Sequence, residues 1–300
     1  MRFLAILNKD GGTLRTLDLD AFSQRLTSTL EEKSHTVEVQ IIDGKGVERT
    51  LDAAMRRRAT DVVMVGGGDG TISAAAARLM GSKKALAVLP AGTMNLFART
   101  LKIPLGLDAA VEAFATGRRR QVDIAVANGR PFIHQFSVGM HAKMVQMREN
   151  MEFGSRFGKI RASAKAAYGT IRNPPILRVE LQIDGETIET RTTGIGISNN
   201  LFGEGHLPYA DKPAGGVLGI YVTSALHTGE LVRFVYGLAR GKYKDNQHVD
   251  VHTARTAILT VQTKRKLKCV IDGELSTLDR RTELEIKPKA LRVLVPRAAG

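Results

Sequence analysis

The segment Val62–Thr71 constrains the fold of this chain more than any other stretch of its sequence. Four apolar residues run directly into the sequence GGGDGT, and helix-forming residues follow from 72 to 80. A short apolar run bounded by glycines is typical of a buried strand, and the glycines permit the close backbone turn that leads into a helix. The segment therefore predicts a strand, a loop that can cradle an anion and a helix, which is the repeating unit of a parallel sheet.

The rest of the first third alternates in the same way. Apolar runs predict strands, and apolar residues at helical spacing predict helices between them. The predicted strands are 3–7, 36–42, 62–65 and 86–89, and the predicted helices are 19–30, 47–58, 72–80, 95–101 and 108–116. This alternation predicts an N-terminal α/β domain with a doubly wound parallel sheet that helices cover on both faces.

Strand-like runs dominate the chain after about residue 122. They are 132–138, 177–183, 194–198, 217–222, 257–263, 267–271 and 291–295, with helical insertions at 141–171 and 228–241. Turn sequences such as Asp272-Gly273 separate some of them. We therefore expect a C-terminal antiparallel β-sandwich domain. The domains are predicted at 1–125 and 126–300, with a return of the last strand to the first domain left open.

The charge and composition of the chain limit the classes of partner that it is expected to bind. The chain has 44 Lys and Arg against 30 Asp and Glu, a net charge of +14, which favours anionic surfaces. The segment 143–172 is both basic and rich in Met, as expected of a helix on an anionic membrane or of one packed on its own domain. A single cysteine excludes a disulfide scaffold, and no stretch of about 18 apolar residues predicts a membrane span. We expect a cytoplasmic protein that associates peripherally with membranes.

Three glycine loops are the candidate phosphate-binding elements. They are 8–13, 66–71 and 90–95, and each follows a predicted parallel strand, so they should meet at one sheet edge. Thr71 can either cap the following helix or bond a phosphate oxygen. Asp69 is unexpected beside phosphates, since its charge repels them, and it makes sense if it holds Mg²⁺ or accepts a proton.

The motifs resemble a known family. The sequence GGDGT from Gly67 to Thr71, followed by LPAGTMNLFA from Leu89 to Ala98, resembles the diacylglycerol kinase catalytic-domain family of lipid kinases, which includes sphingosine, ceramide and bacterial lipid kinases. Asp272-Gly273-Glu274 resembles the Asp-Gly-Glu element of that family's second domain. The first loop departs from the family pattern, because Lys9 stands where a proline is usual.

The resemblance implies an ATP-binding first domain, a lipid-binding second domain, a cleft between them, and Mg²⁺ as cofactor. It implies that Asp69 and Glu274 are catalytic, with Glu274 as the general base for a lipid hydroxyl, and that Asp69 and Asp123 are associated with metal. The residues it implies for nucleotide binding are Asn8, Gly12, Gly67, Gly68, Gly70, Thr71, Thr93 and Asn95.

Alternatives remain open at this point. An NAD kinase would use the same glycine loop, although the motif around Thr93 and Asn95 speaks against it. A basic nucleic-acid-binding protein fits the charge, but sparse aromatic residues and the acid in the phosphate loop oppose it, so we expect no nucleic-acid partner. The lipid could be a diacylglycerol, a phosphatidylglycerol, a sphingoid base or a ceramide, and a homodimer is compatible with the sequence.

Overall fold

A computed structural model describes residues 1–149, 168–170, 172–224, 227, 229–232, 247–263 and 266–297. The chain divides into two compact units. The first comprises 1–124, 212–215 and 287–300, and the second comprises 125–211 and 216–286. Most of the basic segment predicted at 143–172 and most of the insertion predicted at 228–241 lie outside the described residues. Within the described part of the chain, none of the helices combines the length and the apolar character that a membrane span requires.

The first unit is built on a parallel sheet. Its strands lie in the order β2-β1-β3-β4, and residue Val293 of the last strand pairs in parallel with Leu86 of β4. The strands are β1 (Arg2–Asn8), β2 (Thr36–Ile42), β3 (Val62–Gly67) and β4 (Ala85–Pro90). The helices are α1 (Leu19–Glu31), α2 (Val47–Arg56), α3 (Asp69–Leu79), α4 (Leu96–Thr100) and α5 (Leu107–Ala115). The predicted α/β fold class is confirmed.

Burial explains why these segments form these elements. Every residue of β3 and β4 is buried, as expected for strands of a parallel sheet that is covered on both faces. Helix α1 begins at a capping residue, since the Asp18 carboxylate accepts a hydrogen bond from the Ala21 N–H at 3.0 Å. Its buried side chains, Phe22, Leu26 and Leu30, recur every four residues and form one apolar stripe.

The second unit contains antiparallel sheets. One has the strand order β12-β11-β10-β7-β14-β15, and in the other β13 pairs with β8 and with the first half of β16, while β8 pairs with β9. The remaining strands of the chain are β5 (Arg118–Ala127), β6 (Arg130–Phe132), β7 (Gln135–Gly139), β8 (Leu177–Ile183), β9 (Glu186–Thr192), β10 (Gly194–Asn199), β11 (Leu218–Thr223), β12 (Val249–Ala254), β13 (Thr256–Val261), β14 (Lys268–Ile271), β15 (Glu274–Thr277) and β16 (Arg281–Val295). Residues 118–124 of β5 and 287–295 of β16 belong to the first unit. Helix α6 spans Met140–Glu149. A buried apolar core that includes Phe132, Phe136 and Leu259 joins these strands, and the predicted β-sandwich architecture is confirmed.

Several predicted boundaries were wrong. The strand predicted at 132–138 is two strands, β6 and β7, because the chain between them is held to the Asp272 side chain. The strand predicted at 291–295 is only the end of β16, which begins at Arg281. Strands β9, β12 and β15 were missed, and β5 was missed because its first four residues are Arg and Gln, which are typical of a solvated surface.

An ion pair joins two elements at the amino edge of the parallel sheet. Asp61, just before β3, accepts hydrogen bonds from the Arg2 backbone N–H at 2.9 Å and from the Arg2 guanidinium at 3.1 Å. These contacts lower the pKa of Asp61 from 3.8 to about 2. The hydrogen bond from the Arg2 side chain is the largest cause, and the one from the Arg2 backbone N–H is the second. The Arg119 guanidinium lies 3.8 Å away and acts in the same direction.

This pKa shift predicts an acid-dependent loss of stability. Because the folded pKa is lowered, the stabilisation is complete above the unfolded value of 3.8 and is lost as the pH falls towards 2. At pH 6, Asp61→Asn should lower the free energy of unfolding by about 1 kcal/mol, and the difference should shrink below pH 4. Urea unfolding at several pH values measures it. Asp108→Asn, which removes a more exposed ion pair with Arg25, is the control, and equal pH profiles for Asp61→Asn and wild type would contradict the prediction.

Candidate functional site

The three glycine loops meet at the carboxyl edge of the parallel sheet. Gly12 has a φ of +47°, and a Cβ atom added there would lie 1.8 Å from the Ala91 carbonyl oxygen. The next residue donates its N–H to that same oxygen at 2.8 Å. A Cβ atom on Gly11 would lie 3.1 Å from the Gly67 Cα atom. The first loop therefore packs on both of the others so closely that only glycine fits at position 12.

Side chains complete these contacts. The Asn8 side-chain amide donates to the Thr71 hydroxyl at 3.1 Å, which links β1 to the start of α3. The Asn8 carbonyl oxygen accepts the Asp10 N–H at 3.1 Å, and the Asp10 carboxylate accepts the Gly44 N–H at 2.8 Å. Thr71 lies within α3, and its hydroxyl accepts a bond from the neighbouring loop, so of its two predicted roles the helix cap is excluded.

Asp69 is the first residue of α3, and Gly68 is the residue that caps the helix. The Asp69 carboxylate reaches the third loop, where its Oδ1 accepts the Leu96 N–H at 3.2 Å. Since a carboxylate has further lone pairs, this contact positions the side chain and leaves coordinating capacity for a metal ion.

Asn95 shapes the third loop from within. It adopts the left-handed conformation with a φ of +50°, its Oδ1 accepts the Gly92 N–H at 2.8 Å, and its amide donates to the carbonyls of Pro90 and Gly92. Thr93 is exposed beside it. These contacts account for Asn95 as a residue that shapes the loop, and its predicted contact with a nucleotide stays a prediction.

Two glycines beside Asp69 differ in their surroundings. A Cβ atom on Gly67 would lie 2.6 Å from the Thr71 Cβ atom, so that glycine is required by packing inside the protein. A Cβ atom on Gly68 would meet nothing within 4 Å. The first-turn N–H groups of α3, including that of Gly70, lack intrahelical acceptors as in any helix. An open, glycine-lined helix start is well suited to bind a phosphate group.

Glu274 lies in the second unit, at the start of β15. The hairpin β14–β15 turns through Asp272 and Gly273, which have φ values of +48° and +89°, and this two-residue turn delivers Glu274 opposite Ile271. The Glu274 carboxylate is 60% exposed and pairs with the Arg130 guanidinium at 3.2 Å. An exposed pair of this kind contributes little to stability, and the Glu274 carboxylate remains accessible to solvent.

Asp272 fixes the position of that turn. Its buried carboxylate accepts the N–H groups of Ile133, His134 and Gln135 at 2.9 to 3.0 Å. The Asp272 N–H in turn donates to the Gln135 carbonyl at 2.9 Å. The turn that carries Glu274 is therefore attached by four hydrogen bonds to residues 133–135, which connect β6 to β7 and begin β7.

Asp123 has a structural role in the first unit. It is 1% exposed, its Oδ1 accepts the Lys289 N–H at 2.8 Å, and its own N–H donates to the Pro213 carbonyl. It thereby joins three separate stretches of the chain. Within the described ranges, no three His, Cys, Asp or Glu side chains cluster to hold a metal ion. The metal association of Asp123 stays a prediction.

Sequence reasoning missed several residues that take part in these arrangements. Arg130, the partner of Glu274, follows an Asn-Gly turn and carries no motif that marks it. The Asp10 carboxylate accepts a hydrogen bond from Gly44 in the loop before α2. The sequence does not predict this contact, because Asp10 belongs to no motif that includes Gly44. The Asn200 side chain is fully buried, and its polar atoms have no hydrogen-bond partner among the described residues. These side chains can be identified only from the folded structure, because their contacts and their burial involve residues that are distant in sequence.

Two family models match this chain, one in its N-terminal part and one in its C-terminal part. Residues 2–127 match the diacylglycerol kinase catalytic domain, and residues 135–295 match the YegS C-terminal NAD kinase beta sandwich-like domain. An uncharacterised protein of Synechocystis is 28% identical over 93% of this chain, which spans 66% of that relative's length. A protein of Staphylococcus epidermidis named as a candidate lipid kinase is 28% identical over 78% of this chain and 76% of its own length.

A solved structure shows the same fold. A candidate diacylglycerol kinase from Bacillus anthracis superimposes with a TM-score of 0.77 at 20% sequence identity. The match covers 100% of this chain and 98% of that one.

Gly68 allows a direct test of whether a ligand binds beside it. A Cβ atom added to Gly68 would contact no other protein atom within 4 Å, so any loss of binding would come from contact with the ligand. Gly68→Ala should lower the affinity for ATP by about tenfold, since the added methyl group occupies space that a phosphate needs. Gly106→Ala is the matched control, because Gly106 also precedes a helix with an extended backbone and 3.8 Å of clearance. Each substitution should lower the free energy of unfolding by about 1 kcal/mol or less. Calorimetric titration and thermal unfolding measure both effects, and equal ATP affinities would contradict the prediction.

Proposed function

Because the chain belongs to the family defined by a diacylglycerol kinase catalytic domain followed by a YegS-type C-terminal domain, we propose that it is an ATP-dependent lipid kinase. It transfers the γ-phosphoryl group of ATP to a hydroxyl of a membrane lipid. The observation that carries the proposal is the junction of three glycine loops around Asp69 at the carboxyl edge of the parallel sheet. Ligands bind at this edge in open α/β sheets.

The glycine loops supply the phosphate-binding part of the mechanism. The start of α3 offers backbone N–H donors and the positive end of the helix dipole to the triphosphate. Asn8 and Asn95 hold the first and third loops rigid, so the donors are positioned before the nucleotide binds. Phosphoryl transfer depends mainly on such positioning and on electrostatic stabilisation.

Asp69 is the residue that would hold the metal ion. Mg²⁺ in such sites is bound through one or two carboxylates together with substrate phosphates, and the single carboxylate oriented by Leu96 fits that donor set. The ion, when bound, supplies neutralisation of the triphosphate charge. Without it, the carboxylate would repel the phosphates that the glycine loops attract.

Glu274 is proposed to act on the lipid hydroxyl. Its carboxylate accepts the hydroxyl proton while the hydroxyl oxygen forms a bond to the γ-phosphorus. The bond from that phosphorus to the bridging oxygen breaks, and ADP leaves with the negative charge. Arg130 and Asp272 orient the carboxylate for this step, the first by an ion pair and the second through the turn. The proposal requires Asp69 and Glu274 to serve one reaction.

The acceptor is a lipid with a primary or terminal hydroxyl beside alkyl chains. Diacylglycerol, phosphatidylglycerol, sphingoid bases and ceramide share this chemistry. The family match over residues 2–127 favours a lipid acceptor over NAD and over nucleic acid. Attachment to an anionic membrane surface, proposed from the net charge of +14, would bring the protein to these acceptors.

A transfer assay tests the proposal directly. With γ-labelled ATP, Mg²⁺ and mixed micelles of each lipid class, the wild-type protein should label at least one lipid. Asp69→Asn should remove most of that labelling, because the charge is lost while the shape of the side chain remains. Asp20→Asn, an exposed change in the first turn of α1, is the control. No labelled lipid across the panel, or full activity in Asp69→Asn, would contradict the proposal.

The role of Glu274 has its own test. Glu274→Gln should lower kcat by about 10²- to 10⁴-fold, the usual contribution of a general base. The affinity for ATP should barely change, because the proposed nucleotide contacts lie in the first unit. Glu189→Gln, which changes an exposed carboxylate on β9 in the same unit, should leave kcat unchanged. Steady-state kinetics separates kcat from KM, and wild-type kcat in Glu274→Gln would exclude it as the base.

A further inference from the structure

A second group of cations lies in the first unit, away from the glycine loops. A surface cleft of about 400 Å³ is lined by Lys83, Arg119, Arg120, Gln121 and Arg292. Four of these five residues are basic. They come from three separate stretches of the chain, namely the turn before β4, the start of β5 and the last part of β16.

The topology places this cleft at the opposite edge of the sheet from the glycine loops. Lys83 precedes β4, whereas the loop 90–95 follows it. Arg292 adjoins Val293, which pairs with Leu86 near the amino end of β4. A strand of six residues is roughly 17–20 Å long. The cleft is therefore about the length of β4 away from the glycine loops, too far for one phosphate group to occupy both.

Two of the cleft side chains donate hydrogen bonds to nearby backbone carbonyls. The Arg292 guanidinium donates to the Ser82 carbonyl at 2.6 Å, and the Gln121 amide donates to the Lys289 carbonyl at 3.3 Å. Arg119 lies 3.8 Å from Asp61, beyond hydrogen-bond distance, and that carboxylate already binds Arg2. The ion pair with Asp61 therefore balances only part of the positive charge at this edge.

Converging cations repel one another unless an anion lies between them. Guanidinium groups bind phosphate oxygens through two parallel hydrogen bonds, and lysine adds a point charge. A multiply charged phosphate group matches the charge of the cleft, and the cleft has room for it.

We propose that the cleft lined by Lys83, Arg119, Arg120 and Arg292 is a second anion site, which binds a phosphomonoester or diphosphate group independently of the glycine loops. The ligand chemistry is common to a free phosphate compound and to a lipid headgroup that ends in a phosphomonoester. The site does not depend on the proposed kinase activity, and it is tested without any measurement of phosphoryl transfer.

Lysine acetylation, read residue by residue with mass spectrometry, tests the site. Without Mg²⁺, pyrophosphate should slow the acetylation of Lys83 in a saturable way, while sodium chloride at matched ionic strength should not. Lys9 reports binding at the glycine loops separately, and Lys33, an exposed residue of the turn between α1 and β2, serves as the internal control. Equal acetylation of Lys83 in pyrophosphate and in sodium chloride would overturn the proposal.

Substitutions test whether the protection of Lys83 from acetylation arises from binding in the cleft. Arg119→Gln should raise the pyrophosphate concentration that half-protects Lys83 by about tenfold, since one charge-assisted contact is lost. Arg56→Gln removes one charge from the exposed end of α2 and should leave that concentration unchanged. Equal effects of the two substitutions would show that general surface charge, and not the cleft, protects Lys83, and would overturn the proposal.

Vesicles distinguish the two sources of phosphate. Phosphatidylcholine vesicles that contain phosphatidic acid should protect Lys83 if the cleft binds a lipid headgroup, and phosphatidylglycerol vesicles of equal surface charge should protect it less. Protection by pyrophosphate without protection by phosphatidic acid vesicles would assign a free phosphate compound. Equal protection by both vesicle types with none by pyrophosphate would indicate diffuse attraction to a charged surface and would overturn the proposal.

Discussion

The close packing of Gly12 against the Ala91 carbonyl is the contact on which the candidate site depends. It fixes the first loop against the third, and Gly11 fixes it against the second, so three loops that are far apart in sequence form one surface. No side chain can occupy position 12, because a Cβ atom would lie 1.8 Å from a backbone oxygen. The hydrogen bond from Asn8 to Thr71 and the one from the Leu96 N–H to Asp69 lie at the same junction.

The second unit positions its candidate residue in a different way. Asp272 occupies the left-handed conformation that a tight two-residue turn requires, and its carboxylate binds three consecutive backbone N–H groups. A buried carboxylate is stable only when donors compensate for its lost hydration. The same residue thus shapes the turn and anchors it, which leaves Glu274 as the exposed side chain that the turn presents. The acidic pair in Asp-Gly-Glu therefore divides into one structural and one accessible carboxylate.

Much of this arrangement could be predicted from the sequence, and the parts that could not have physical reasons. The parallel strands are continuous apolar runs, so their pattern is unambiguous. Strand β16 was read as a short strand because Pro288 and Lys289, the latter with a φ of +55°, interrupt its alternation. The sequence also predicts the glycine loops, because each glycine motif directly follows one of these apolar runs. The bond from Asp69 to Leu96 and the ion pair from Glu274 to Arg130 were not, because they join residues that are 27 and 144 positions apart.

The two anion sites proposed for the first unit would attract anions by different physical means. At the carboxyl edge of the sheet, the donors are neutral backbone N–H groups that glycine brings close, and their attraction for phosphate comes from hydrogen bonds and the helix dipole. At the amino edge, the donors are full charges on Arg and Lys side chains. Salt screens the attraction of exposed charges strongly and affects short contacts with preorganised donors much less. Binding at the proposed amino-edge site should therefore depend on ionic strength far more than binding at the glycine loops.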